Sequence, residues 1–509
     1  MTDLIIGSGP SGASVAAALL ARGRQVLMLD GGQIPNQKAT ALRTEMASMP
    51  PDEWSQDMRA NWQAPQFQTP PGQIRRFGSD FAMEPASETL TRTEGFGLRA
   101  SRAEGGLSNL WGSAVLPNRA EDISDWPISA SDLAPHYKAV AEFMPISGQS
   151  DDLEALLPVF SMQGRTALNS SPQAAVLLKK LSQRKANLAK LGVHAGAARL
   201  AVDPACQYCG QCLHGCPWGY IWSARQTLAD LRNRPGFSHQ SGVVRRFEET
   251  ADGVILTLDG GETLQVDRVF IAAGVLETAR LILTSDPDRS RVLTLKDSQH
   301  FFLPSLHRWR APRQPDRMPF HTLPQAFVEI ADPTISQRLV HAQIYTWNEF
   351  YAHDLNSTYG SKLPGSAPLW RALAKRLIVA QAFLHSDHSA RIDLSLAADG
   401  RLTPSVVQNP DTDHIMTAVK ARLAKALNTV GLSTLTFAAR RGEPGSGFHV
   451  GGSVPMSSDP GPGGTDILGR PKGLSRVHVV DASSLPSIPA TTITFSVMAN
   501  AHRIGTLAG

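Results

Sequence analysis

Gly7-Ser8-Gly9-Pro10-Ser11-Gly12 follows the short apolar run Leu4-Ile5-Ile6 and leads into an Ala-rich segment, Ser11 to Arg22, that reads as a helix. Gln25 to Leu29 reads as a second strand, and Asp30 closes it 18 positions after Gly12. Each glycine in such a strand-turn-helix has its own physical task. Gly7 permits the tight turn, Gly9 lets the backbone approach a pyrophosphate, and Gly12 lets the helix pack closely on the strand. The helix N-terminus then attracts phosphate charge, and an acid at the end of the second strand reaches ribose hydroxyls. Gly7, Gly9, Ser11, Gly12 and Asp30 are therefore candidate cofactor-binding residues. The pattern predicts a dinucleotide but does not separate FAD from NAD, and a glycine turn without a ligand is the bland alternative.

At 509 residues the chain exceeds one ordinary domain, so two cores are expected. A second strand-turn-helix lies at Arg268 to Ser285, where Val269 to Gly274 ends a strand and Glu277 to Leu283 begins a helix, so the nucleotide-binding part resumes after a long interruption. Residues 35 to about 100 are rich in Pro, Gln, Arg and Ser and predict loops and short helices over a cofactor. Between about 295 and 435, Ala326 to Ile330, His341 to Trp347 and Ala390 to Leu396 read as strands and Asp413 to Val430 as an amphipathic helix. These suit a sheet-based substrate domain. The expected division is 1–294, including a cysteine-rich loop at 206–217, then 295–435, then 436–509.

All four cysteines fall in Cys206-x2-Cys209-x2-Cys212-x3-Cys216-Pro217, the spacing of a bacterial ferredoxin-type run. With no second set, at most one iron-sulfur cluster is possible, [4Fe-4S] on four thiolates or [3Fe-4S] on three. Structural zinc and metal-free thiols stay open as alternatives. A cluster would pass electrons singly to an acceptor protein or a quinone.

Net charge is +4, from 49 basic and 45 acidic residues without a long basic run, so nucleic acid is not indicated. The longest apolar stretches, Ala13 to Ala21 and Leu377 to Leu384, fall short of the roughly 18 residues that span a bilayer. The first strand begins almost at Met1, with no signal-like region ahead of it, and the expected location is cytoplasmic.

Further motifs carry a resemblance: Gly105-Gly106-Leu107-Ser108-Asn109-Leu110-Trp111, Asp125-Trp126-Pro127 through Tyr137, Ala272-Ala273-Gly274 to Ser285, Phe448-His449-Val450-Gly451-Gly452, and Val480-Asp481-Ala482-Ser483. With the N-terminal turn, they resemble the glucose-methanol-choline family of FAD oxidoreductases, nearest to its sugar and polyol dehydrogenases and pyranose oxidase-like members. The resemblance implies an α/β fold with a discontinuous Rossmann-like FAD-binding domain and an inserted α+β substrate domain on an antiparallel sheet. It implies non-covalent FAD, with Gly106, Asn109, Val244, Ala273, Asp481, Ala482 and Thr492 joining the cofactor-binding set. A helix starting near Thr491 would point its positive end at the flavin ring. His449 matches the family's catalytic histidine, which takes the hydroxyl proton as hydride moves to flavin N5; the bland reading is a structural hydrogen-bond donor. Gln381, His385 and His388 are candidates for the substrate wall.

Two departures stand out. Ala490 occupies the position where the family usually has Asn or a second His, and Leu110 stands where some relatives attach FAD through histidine, which excludes a covalent link there. Trp111 is reminiscent of pyranose oxidases but also suits plain packing. The implied activity is oxidation of a hydroxyl in a small-molecule sugar, polyol or other alcohol. The alternatives are a sterol-type alcohol oxidase that uses oxygen and has structural cysteines, and a redox flavoprotein without an alcohol substrate.

Overall fold

The computed structural model describes residues 2–64, 80–309, 311–312, 320–348, 351, 355–356, 360 and 365–509. Residues 65–79 of the stretch expected to cover a cofactor lie outside this set; the remainder of that stretch includes helices Gln37–Ala47 and Gln56–Gln63.

Five parallel strands form one layer, ordered Val477–Val479, Arg268–Ile271, Thr2–Ile6, Gln25–Asp30, Phe237–Ser241. The inner strands are apolar runs without alternation, because helices and loops cover both of their faces. Asp3 is the charged exception: its carboxylate takes Arg24 Nε at 2.7 Å and Arg268 Nε at 3.0 Å. Helix Pro10–Ala21 packs along the C-terminal helix Thr494–Leu507. Their close approach needs Gly505, where a Cβ would stand 2.9 Å from Val15 Cγ2 and 3.0 Å from Ala18 Cβ.

The second layer is an antiparallel sheet ordered Leu432–Thr434, His300–His307, Leu377–Phe383, Val340–Tyr345, Ala326–Ile330, Val193–Ala197, with Arg440–Arg441 pairing alongside His300–His307. Its last strand comes from the part of the sequence read as nucleotide-binding. Alternation divides the sheet into two faces. Phe301, Leu303, Val328, Ala342, Ile344, Ala380 and Ala382 pack on helices Pro172–Gln183 and Thr412–Thr429. The opposite face carries His300, Gln381, Phe383, His341, Gln343 and Glu329.

A smaller antiparallel sheet, ordered Leu402–Val407, Arg391–Leu396, Val292–Asp297, Val450–Gly451, adjoins it. Val450 pairs with Asp297, and Ser298 N donates to the His449 carbonyl at 3.0 Å. His449 is thus held where one antiparallel sheet hands the chain to the other.

Candidate active site

The glycine turn shows its logic atom by atom. Gly7 has φ +100°, and a Cβ there would run into the Ala272 carbonyl; a Cβ on Gly12 would run into the carbonyl of Gly7. Around Gly9 the result is the reverse, with nothing within 4 Å of a Cβ. No protein contact requires its bareness, which leaves open room for a ligand. Gly106, at φ +56°, brings a second loop up to Gly9, with 3.5 Å from its Cβ position to Gly9 Cα. Ser8 fastens these segments together. Its Oγ donates to Asp30 Oδ2 at 2.5 Å and accepts from Gly105 N at 2.9 Å. Gly32 N holds Asp30 Oδ1 at 2.8 Å. Each carboxylate oxygen still has lone pairs for hydroxyl donors.

Gly7, Asp30, Val244 and Ala273 line one cleft of about 60 Å³, joined by Arg102 and Glu277. Ser11 is buried in the first turn of the helix. Asn109 spends its Nδ2 on its own loop, donating to Glu104 O at 2.9 Å and Gly106 O at 2.7 Å, so it shapes that loop. Leu110 is buried among Phe81, Ala82 and Ala103. Trp111 donates Nε1 to Trp222 O at 2.8 Å and meets that ring edge-on, which is packing.

Asp481 is fully engaged. It accepts from Thr278 Oγ1 at 2.5 Å, Gly274 N at 2.9 Å and Ser483 N at 2.9 Å, while burial pushes its carboxyl up. It therefore ties the turn after strand Arg268–Ile271 to the turn after Val477–Val479. The carbonyl of Ala482 takes Gly452 N at 2.9 Å, fastening the segment after His449. The C-terminal helix starts at Thr494, three residues later than expected. Its approach is held as an irregular turn by Thr491 Oγ1, 3.2 Å from Asn118 Oδ1. Asn118 Nδ2 and Thr492 Oγ1 are buried without partners, and Ala490 is core. The open space at Gly9, the anchored Asp30 and these two orphaned polar atoms fit an FAD molecule.

His449 stacks on Phe383 with ring centroids 4.7 Å apart. Its Nδ1 is buried without a partner, while the residue as a whole keeps partial access to solvent. Burial first, then His341 and His300 nearby, push it down to about 3. The ring is therefore neutral near pH 7. The preceding Phe448 sits at φ +61°, a strained conformation for a non-glycine residue.

Of the wall candidates, only Gln381 lies on the polar sheet face, opposite Gln343 and Phe302. His385 and His388 do not belong there. His385 is fixed between Asp122 O and Asp387 N, and His388 by Ser336 Oγ at 2.8 Å, so both serve local structure.

All four cysteines line one small cavity with Trp218, Tyr220 and His321. The amides of Tyr208, Thr322 and Tyr220 donate to Cys206, Cys212 and Cys216 Sγ at 3.5, 3.4 and 3.2 Å. Burial pushes the thiols of Cys206, Cys209 and Cys212 up, Cys206 to about 12. Among the described residues no group of three or more His, Cys, Asp or Glu is arranged to hold a metal ion. The expected iron-sulfur cluster is not supported: its cysteine spacing is present, but the thiols are not arranged around a metal ion.

Sequence reasoning missed Ser8, Asn118 and the buried pair His341 and Glu329. The polar alternation His341, Gln343, Tyr345 in an otherwise apolar strand was the available signal for the last.

Residues 370–501 match the family model described as GMC oxidoreductase, C-terminal. The crystal structure of pyridoxine 4-oxidase from Mesorbium loti superposes with a TM-score of 0.60 at 16% identity, covering 99% of this chain and 98% of that one, which shows a shared fold. No curated protein matches by sequence. Among the described residues no helix is long and apolar enough to cross a membrane.

Proposed function

We propose that this chain, a GMC oxidoreductase by its C-terminal domain and its fold, binds FAD non-covalently and oxidises a hydroxyl group of a sugar, polyol or other alcohol. The observation that carries the reading is His449, a neutral imidazole with an unpartnered Nδ1, held at the junction of two sheets beside a polar sheet face. FAD would lie with its pyrophosphate over Gly7, Gly9, Ser11 and Gly12, near Gly106. Asp30, Val244 and Ala273 would surround its nucleoside end. Thr492 and Ala482, the latter positioned by Asp481, would face the flavin end, with Asn109 shaping the covering loop. The substrate domain is the 295–435 region, extended by the edge strand Val193–Ala197.

Bound FAD supplies a hydride acceptor. The chain's part is to take the proton. A neutral imidazole against the hydroxyl oxygen removes it as the carbonyl forms, so negative charge never accumulates on oxygen. With Ala490 in place of an amide or imidazole, a second group must share this task or the reaction runs slowly.

Two electron acceptors remain. The iron-sulfur relay to a protein or quinone has the cysteine spacing in its favour, and the lack of a metal-ready arrangement among the described residues against it. Direct oxidation by oxygen is favoured by the fold neighbour being an oxidase. The four cysteines, all unpaired, suit a reducing cytoplasm. Anaerobic titration of the FAD-loaded protein with a panel of sugars, polyols and pyridine methanols, followed by air, tests these readings. Bleaching of the flavin by one class is expected, and its disappearance in His449→Ala; unchanged bleaching in that variant would overturn the role of His449. Rapid peroxide formation in air would select oxygen as the acceptor.

A further inference from the structure

One row of the antiparallel sheet runs from His449 to the molecular surface. Phe383, on which His449 stacks, lies opposite His341; His341 lies opposite Glu329; and Glu329 lies opposite His194 on the edge strand. All of them point to the face away from the helices. His341 Nδ1 and Glu329 Oε1 are 2.7 Å apart, and both side chains are 0% exposed. At the other end His194 Nδ1 is 3.2 Å from Asp152 Oδ2, and Asp152 Oδ1 is 2.7 Å from Lys185 Nζ. Side-chain exposure is 0% at His341 and Glu329, 26% at His194, 14% at Asp152 and 61% at Lys185.

Stability does not account for this arrangement. Apolar residues fill the opposite face of the same strands, and a buried acid-imidazole pair is no more stabilising than such a filling. The pair also leaves two buried atoms without partners, His341 Nε2 and Glu329 Oε2, which is destabilising. Those are the atoms through which a hydrogen-bonded chain would continue in both directions. Cross-strand neighbours stand about 5 Å apart at Cβ, a gap that side chains and one water close. Arg199, buried and held by Glu154 at 3.2 Å with Asp151 beside it, is close enough to Glu329 for that side chain to raise its proton affinity.

We propose that His341, Glu329 and His194, with the partly buried Asp152 beyond them, carry the proton released at His449 to solvent. The inference rests on the proposed alcohol oxidation. There, the carbon-bound hydrogen leaves with its electron pair to FAD, a carbonyl forms, and one hydroxyl proton is left over on a partly buried imidazole. Its release to solvent returns His449 to the neutral form for the next turnover.

The test needs no alcohol. FAD-loaded protein is mixed anaerobically with reduced methyl viologen in weak buffer containing a pH indicator. Two electrons from two viologen radicals and one proton from solvent reduce the flavin, so the row must then conduct inward. In the unaltered protein, indicator and flavin signals should change together. Glu329→Gln should delay proton uptake behind flavin bleaching tenfold or more. His194→Asn should give a smaller delay that added imidazole abolishes. If Glu329→Gln fails to bind FAD, His194→Asn and Asp152→Asn at the accessible end carry the test. Simultaneous signals in these variants would overturn the proposal. Because viologen replaces the substrate, failure to oxidise any alcohol would count against the proposed function alone.

Discussion

The glycine turn and the cysteine loop are both motifs of spacing, and the molecule treats them differently. In the turn, Gly7 and Gly12 are required by neighbouring carbonyls of the chain itself, and only Gly9 is left facing open space. In the loop, the spacing gathers four sulfurs around a small cavity and aims three amides at them, yet the set is not arranged to hold a metal ion. Glycine spacing encodes backbone geometry, which a chain satisfies alone. Cysteine spacing encodes a set of donors, whose meaning depends on what they close around.

The sharpest way to break this contrast is Gly12→Val. The clash with the Gly7 carbonyl should cost more than about 4 kcal/mol and leave no folded protein, as judged by soluble yield and chemical denaturation. Replacing Cys206, Cys209, Cys212 and Cys216 together by serine should cost about 1–3 kcal/mol, from burying hydroxyls in place of thiols. FAD content and flavin reduction should be unchanged; iron lost together with activity would restore the relay. Gly9→Ala inverts the logic of Gly12. Stability without FAD should move by less than about 0.5 kcal/mol, while the Kd for FAD rises about tenfold or more, measured by fluorescence titration.

Acid acts more locally. Burial holds His214 in the cysteine loop and His321 on its cavity at about 4, against about 6.5 when unfolded. Between these values the unfolded chain binds more protons. Their contribution is therefore intact above pH 6.5 and declines toward pH 4, by roughly 3 kcal/mol for each histidine. Hydrogen exchange at pH 5 should open 206–217 before 7–12; equal protection would dissolve the distinction.

What could be seen in advance followed from local pattern. The glycines, strand Ala326–Ile330 and helix Thr412–Thr429 appear where periodicity placed them. What escaped depended on partners far along the chain. Val193-His194-Ala195-Gly196-Ala197 has no strong strand signature, and it becomes an edge only because Ala326–Ile330 arrives beside it. His385 and His388 looked available until Asp122 and Ser336 proved to hold them. His341 and Glu329 carried a visible alternation, but only the register of a hairpin reveals that they meet. The helix expected at Thr491 was delayed by a hydrogen bond to Asn118, some 370 positions away.

The five-stranded parallel sheet imposes an order on biosynthesis. Thr2–Ile6 leaves the ribosome first, yet its neighbour Arg268–Ile271 follows more than 260 residues later, and Val477–Val479 closes the layer last. At roughly 5–20 residues per second, the nascent N-terminal strand waits on the order of a minute for the sheet to be completed. During that time its apolar edge is exposed to chaperones and to other nascent chains, and a prematurely terminated product would keep the fingerprint without ever assembling the cofactor cradle.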